Sequence, residues 1–409
     1  MRLAEHDGKT LLRAHGVAVP RGALHTGGLG ALHTGESGAL QPGGSDAAQL
    51  GGSGAPHPGG LGAPQHGALS GEGVLKAQIL EGGRGKRGLV RRTKDAARDA
   101  AEIRAALGDP AAPLLLEESV AMAREIYLAL RIDGTAQSIE LLCAPEGGVE
   151  VEEAGALLRG PVEPEAPGVL EDAFAILRPG FPPDLAARLA RFALRLARIM
   201  RAEDLDLLEI NPLAVTPEGA LVACDAKAVR DDAAYFRHAA PALSAALEDA
   251  ALTPLERRAR DLGFQLVELP GGTVAQITAG AGLGMLMLDL LADAGCPSAC
   301  FMDNANGGPA ETMPDRLALA FEIAQRPEVK AVMFFTTLAS RGLKARVEAL
   351  AAALAATPPT KPFFCGIAAG HAALRGYSLE EARARLAEVG VAALHDNPHD
   401  LVRAVAAAM

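Results

Sequence analysis

The amino-acid sequence predicts an α/β protein of two domains, the second built on a doubly wound parallel sheet. Three observations carry that expectation. The chain has 409 residues, more than the roughly 100–200 of a single domain. Beyond Pro254, short apolar runs alternate with amphipathic stretches, the pattern of a parallel sheet with helical crossovers. Before about residue 240 that alternation is absent, and a basic glycine loop and an acid-bearing pair of apolar runs stand among mixed strands and helices.

Taken in order, residues 4–15 predict a helix stopped by Gly16. From Arg21 to Ala68 the chain repeats a degenerate octapeptide six times: RGALHTGG, LGALHTGE, SGALQPGG, SDAAQLGG, SGAPHPGG, LGAPQHGA. Units so rich in glycine hold too few large apolar side chains to offset chain entropy, so the tract 21–68 predicts a linker or insertion. His25, His33, His57 and His66 recur with the repeat and are ascribed to it rather than to a metal site. Val74–Gln78 is a short apolar piece, 94–107 a helix, and Leu114–Leu116, Ile126–Ile132 and Ser138–Cys143 are strands. Segment 183–200 is the clearest helix. Pro182, Pro183 and Asp184 mark its start, Leu185, Leu189, Phe192, Leu196, Ile199 and Met200 share one face, and Arg188, Arg191, Arg195 and Arg198 take a solvated one. In the C-terminal part, strands are expected at Val274–Thr278, Ala299–Met302, Ala331–Thr336, Pro362–Ile367 and Val391–Leu394. Helices are expected at 282–294, 315–325, 341–356 and 379–389, the last opened by the capping box Ser378-x-x-Glu381. The boundary falls between about 240 and 258.

Composition narrows the function. Hydrophobic residues make up 49% and charged residues 22%, which excludes a uniformly disordered chain, and a net charge of −11 argues against general affinity for nucleic acid. No stretch approaches the roughly 20 apolar residues that span a bilayer, and the N-terminal MRLAEHDGKTLLRAHG lacks an apolar signal core. Cys143, Cys224, Cys296, Cys300 and Cys365 are odd in number and scattered, which frames neither disulfides nor C-x-x-C zinc pairs. A cytoplasmic protein, bound to neither membrane nor nucleic acid, is the expectation.

Two constellations carry chemistry. EGGRGKRG at 81–88 follows Lys76 by five residues, and a loop of this composition lets backbone N–H groups approach phosphate oxygens while Lys and Arg neutralise them. It is neither a Walker loop nor G-x-G-x-x-G, and a hairpin turn with solvated bases would carry the same letters. LEINPLAVTPEGALVACDAK at 208–227 predicts two strands joined by the Pro217–Gly219 turn, with Glu209 and Asn211 on one face and Asp225 near them on the second strand. Oxygen donors of that kind suit Mg²⁺ completed by nucleotide phosphates, and they equally suit a structural role.

At this point the sequence resembles a known family. LAEHDGKTLLRAHGVAVPRG, KAQILEGGRGKRG, LLLEESVAMAREIYLAL, PEGGVEVEE, LEINPLAVTPEGALVACDAK with Phe236-Arg237-His238, and GAGLGMLMLD are similar to the β subunit of ADP- or GDP-forming succinate–CoA ligases. These are ATP-grasp proteins related to malate–CoA ligase and to the ligase part of ATP-citrate lyase. The resemblance implies an ATP-grasp domain over 1–245, interrupted by the repeat tract 21–68, and a flavodoxin-like CoA-ligase domain over 255–409. It implies that Lys76, Gly83, Arg84, Gly85, Glu117 and Glu125 contact ATP, ADP, GTP or GDP, with Val120 beside the base. Asn211 and Asp225 would hold Mg²⁺, and Glu209 would meet the phosphohistidine loop of a partner. That partner would be an α-type subunit that binds CoA, in an αβ or α2β2 complex, and the reaction would join a small carboxylic acid to CoA through an acyl phosphate. No histidine here matches the reactive one; His238, His371, His395 and His399 are expected to be ordinary surface or core residues.

The substrate positions depart from the family. Ala279 stands where an asparagine is usual, and Thr336-Thr337-Leu338-Ala339-Ser340-Arg341-Gly342 replaces the turn GGIVRCD. Threonines cannot reproduce a glycine pair that needs positive φ or close backbone approach. Thr337, Leu338 and Ala339 therefore mark the substrate site only through the resemblance. Three readings follow: a ligase for succinate, one for another acid such as malate, or a degenerate relative that binds nucleotide or a partner without turnover.

Overall fold

A computed structural model describes residues 1–26, 62–65, 72–147, 157–303, 312–339 and 342–409, with backbone alone over 62–65. His33, His57, His66, Ser340, Arg341 and most of the repeat tract lie outside them. The chain divides into two units, Met1–Glu248 and Asp249–Met409.

The first unit runs β1 (Arg2–Leu3), α1 (Glu5–Ala14), β2 (Gly22–His25), β3 (Gly62–Gln65), β4 (Gly73–Ala77), β5 (Val90–Thr93), α2 (Ala96–Leu107), β6 (Leu114–Glu117), β7 (Arg124–Asp133), β8 (Ser138–Ala144), β9 (Leu158–Pro161), α3 (Val169–Leu177), α4 (Pro183–Ala202), β10 (Leu205–Val215), β11 (Leu221–Ala223) and β12 (Lys227–Arg230). Helix α5 (Ala242–Ala251) crosses the division. A seven-stranded antiparallel sheet has the order β1-β12-β10-β7-β8-β9, with β11 added to β10, and a five-stranded sheet has the order β3-β2-β6-β4-β5. The larger sheet exists because β7, β8 and β10 alternate large apolar residues toward α4: Ile126, Leu128, Leu130, Leu141, Leu208 and Ile210 are buried with Leu189, Leu196 and Ile199 of the helix.

Three expectations change here. The repeat tract is not wholly a linker, because Gly22–His25 pairs antiparallel with β6 and Gly62–Gln65 pairs parallel with Gly22–His25. A ladder needs backbone groups rather than large side chains, and on β2 Leu24 and His25 are buried. Of the α4 arginines, Arg191, Arg195 and Arg198 are exposed as expected, but Arg188 is half-buried and donates to the Gly219 carbonyl. Asp225 does not lie on a strand but in the break between β11 and β12, whose partners on β10 are Leu213–Val215 and Leu205–Glu209.

The second unit runs α6 (Pro254–Asp261), β13 (Gln265–Glu268), β14 (Val274–Thr278), α7 (Ala281–Asp293), β15 (Ser298–Asp303), α8 (Met313–Ile323), β16 (Ala331–Leu338), α9 (Leu343–Ala356), β17 (Phe363–Ala369), α10 (Leu379–Ala387), β18 (Leu394–His395) and α11 (Pro398–Ala407). Its sheet order is β13-β15-β14-β16-β17-β18. Five strands are parallel, but the edge strand β13 pairs antiparallel with β15, so the sheet is mixed rather than purely parallel. The strand escapes a periodicity reading because it is four residues long and buries only Leu266 fully. Two cores sandwich the sheet: Val332, Phe334 and Leu338 of β16 pack with α8 and α9, while Met333 and Phe335 pack with α7 and α11.

Candidate functional site

The glycine loop is the connection of a hairpin. Strand β4 pairs with β5 with Lys76 opposite Val90, and the loop between them closes through Arg87 N donating to Gly83 O at 3.2 Å and Leu89 N to Arg84 O at 3.0 Å. Gly83 has φ +75°, which only glycine adopts without strain, and a Cβ there would touch nothing within 4 Å. The hairpin tip is therefore open on the side where a Gly83 side chain would stand. Gly73 serves a different purpose: a Cβ on it would lie 2.2 Å from the Glu117 carbonyl oxygen. That close approach of β4 to β6 brings Lys76 beside Glu117.

Lys76 and Arg84 do not project into solvent. Lys76 Nζ lies 2.7 Å from Glu5 and 2.9 Å from Glu117, and Arg84 spans Glu5 at 2.6 Å and both oxygens of Asp225 at 2.8 and 3.0 Å. Lys9, fully buried, lies 2.6 Å from Glu5 and from Glu117, and both lysines donate to the Cys224 carbonyl. Three cations thus face three carboxylates in one buried cluster. Burial alone would raise the Glu5 carboxyl, but Lys76, Lys9 and Arg84 hold it well below the usual carboxylate range. Burial likewise opposes charge on Lys76, and Glu5 with Glu117 overrides it and raises that ammonium above its ordinary value. Arg84 behaves in the same way against Glu5 and Asp225.

A cavity of about 690 Å³ opens onto this cluster, lined by Lys76, Gly83, Arg84, Gly85, Glu117, Val120, Glu209, Asn211 and Asp225 along with Tyr127, Lys86 and Lys227. Residues drawn from separate stretches of sequence therefore converge. Glu125 is not among the lining residues; it is exposed on β7. Glu209 lies across the ladder from Lys227, whose Nζ is 3.3 Å from its carboxylate. Asn211 offers an amide oxygen and Asp225 a carboxylate, a hard-oxygen donor set of the kind that Mg²⁺ takes when phosphates fill its remaining positions. The residues present fit that ion.

Glu5 and Lys9 were not singled out by motif. A signal existed: they share a helical stripe with Leu12, which is buried, so the charges at positions 5 and 9 point inward with it.

In the second unit, Ala279 follows the last residue of β14, while Thr337, Leu338 and Ala339 line a shallow opening of about 380 Å³ with Ala368, Ala369 and Gly370. Ala279 is not part of that lining. All five cysteines are free and buried, and burial pushes Cys143 and Cys300 up to about 12. His238 pairs with Asp204 at 2.7 Å. No helix among the described residues is long and apolar enough to cross a membrane.

Comparison with known proteins matches residues 65–215 to the ATP-grasp domain family. The chain is 30% identical over 346 residues to the succinate–CoA ligase [ADP-forming] β subunit of Desulfurococcus amylolyticus, covering 81% of each chain. It is 31% identical to the β subunit 2 of the same enzyme from Streptomyces coelicolor, over 94% of this chain and 92% of the relative. It is 34% identical to the GDP-forming β subunit of Thermus thermophilus, over 63% of this chain and 70% of that one. Among solved structures, ATP citrate lyase from Methanosaeta concilii in complex with (3S)-citryl-CoA matches with a TM-score of 0.65 at 16% identity, over 100% of this chain and 98% of that one. ATP citrate lyase from Methanothrix soehngenii, with citrate and coenzyme A, matches with a TM-score of 0.61 at 18% identity, over 83% and 87%. These two likenesses concern the fold.

Proposed function

From a chain that belongs to the succinate–CoA ligase β-subunit family, we propose a nucleotide-binding subunit in which an adenine or guanine nucleotide occupies the 690 Å³ cavity. The observation that carries the proposal is the convergence there of Lys76, the Gly83–Gly85 backbone, Arg84, Asn211 and Asp225. Phosphoryl transfer needs in-line positioning and charge neutralisation more than covalent chemistry, and these residues supply both. Lys76 and Arg84, already held by Glu5, neutralise the phosphates; Val120 flanks the base; Asn211 and Asp225 would hold Mg²⁺, which when bound neutralises charge between phosphate oxygens. Asp225, which Arg84 holds in the free chain, would be the carboxylate that holds the ion, and Arg84 would then be available to neutralise phosphate. Glu209 meets the phosphohistidine loop of an α-type partner, which binds CoA and completes a cytoplasmic αβ or α2β2 ligase forming acyl-CoA from a small carboxylic acid. With alanine at 279 and threonines in place of the glycine turn, the acid is other than succinate.

The test is thermal unfolding of the chain with nucleotide. A ligand at 100 times its dissociation constant adds about 2.7 kcal/mol to the folded state. Mg-ADP or Mg-GDP should raise the Tm, and Asp225→Ala should abolish the part of the shift that depends on Mg²⁺. No shift with either nucleotide would end the reading.

A further inference from the structure

The second unit buries an arginine that its neighbours leave incompletely satisfied. Arg316, in the first turn of α8, is 1% exposed. Its Nη1 donates to the Thr278 carbonyl at 3.0 Å, while its Nε has no hydrogen-bond partner. Among the described residues, no carboxylate lies within salt-bridge distance of it. Burial, reinforced by Arg346 and opposed by Asp303, pulls the guanidinium down to about 10. A buried cation in that condition is costly, and an incoming anion would relieve it.

Two further buried groups share the place. Thr312 and Thr336 are 2% and 1% exposed, and the hydroxyl of each is unpartnered. Thr312 lies one turn before Arg316, whose N–H donates to its carbonyl at 2.9 Å. On β16, Val332, Phe334 and Leu338 face the α8 side, so alternation places Thr336 on that side too. The register sets Phe335 opposite Thr278, which puts Thr336 one step beyond the carbonyl that Arg316 holds. Three buried side chains, each with one polar atom lacking a partner, thus stand on one face, at the C-terminal edge of the parallel strands and the start of α8. Such an edge is where open α/β sheets receive ligands, and a helix start favours negative charge. The shallow opening at Thr337, Leu338 and Ala339 begins at the next residue of β16 and carries no charged group.

We propose that Arg316, with the hydroxyls of Thr312 and Thr336, forms an oxyanion subsite for a small molecule, taking either the carboxylate of the acid or inorganic phosphate. The inference rests on the acid–CoA ligase reading and supplies the charge recognition that Ala279 and the threonine turn lack. In the complex with the partner subunit, Arg316→Gln should raise the KM for the acid in the forward direction, or for phosphate in the reverse direction, at least tenfold. The nucleotide KM should stay unchanged, and Arg316→Lys should recover part of the loss. Thr336→Val keeps shape and burial, so it folds even if the arginine variants do not; it should raise the same KM about threefold. Unaltered acid and phosphate KM in the folded variants would overturn the subsite. A complex without turnover counts against the ligase reading alone. The subsite is then judged on the full chain by thermal shift with succinate, malate or phosphate: stabilisation present in the wild type and reduced in Thr336→Val supports it, and no stabilisation by any of the three overturns it.

Discussion

Replacing Glu5 by Gln removes one charge from a buried cluster in which Lys9, Lys76 and Arg84 each lie within 2.7 Å of that carboxylate. Three cations would then face Glu117 and Asp225 alone. Breaking a buried pair by removing one partner costs about 3–5 kcal/mol, and because glutamine keeps the shape and some hydrogen bonding we expect about 3 kcal/mol. For a unit of this size that corresponds to a fall in Tm of about 6–12 °C. Lys9→Met should cost about as much, by leaving Glu5 and Glu117 short of a cation. The double variant leaves two cations against two carboxylates, so its loss should be about 4 kcal/mol rather than the sum of about 6, a coupling of about 2 kcal/mol. Urea unfolding of the four proteins, compared at equal m, measures each term. A Glu5→Gln loss below about 1 kcal/mol, or additivity within about 0.5 kcal/mol, would refute the claim that the cluster acts as one charge-balanced unit.

The same carboxyl sets an acid limb. Its folded-state pKa is depressed, so its stabilisation is complete above the unfolded value of about 4.3 and is lost as pH falls through the folded value. The urea midpoint of the wild type should therefore drop more steeply below about pH 4 than that of Glu5→Gln, and parallel acid limbs would contradict it. At Gly83, φ +75° with no neighbour within 4 Å predicts that alanine costs about 1–2 kcal/mol from backbone strain alone and weakens Mg-nucleotide binding measured by calorimetry. At Gly73, where a Cβ would meet the Glu117 carbonyl oxygen at 2.2 Å, alanine must part β4 from β6. A loss of about 3 kcal/mol in urea unfolding is expected there, together with a raised nucleotide dissociation constant as Lys76 leaves Glu117.

How much of this was legible depended on whether the signal was local. EINPL and DAK point to a site only through the family resemblance, since an acid and an amide among apolar residues equally suit a structural role; the structure lines one cavity with Glu209, Asn211 and Asp225. The glycine loop announces itself through composition, and its hairpin geometry follows from the apolar pieces on either side. What could not be read is where the charges of that loop go. Arg84 looks solvated in sequence, and only the tertiary structure brings Glu5 and Asp225 to it, from 79 and 141 residues away. Helix α1 is the sharper case. Glu5 and Lys9 have the four-residue spacing of an exposed surface pair, and the same spacing sets both on the buried stripe of Leu12. Periodicity reports that a stripe is buried only when its members are apolar; a stripe that buries balanced charge is invisible to it. The β2 and β3 segments failed for the opposite reason, since glycine-rich text hides a backbone ladder. Both failures point to one cause: the reading weighs side-chain hydrophobicity, whereas this site is assembled by backbone hydrogen bonds and by ion pairs that satisfy one another away from water.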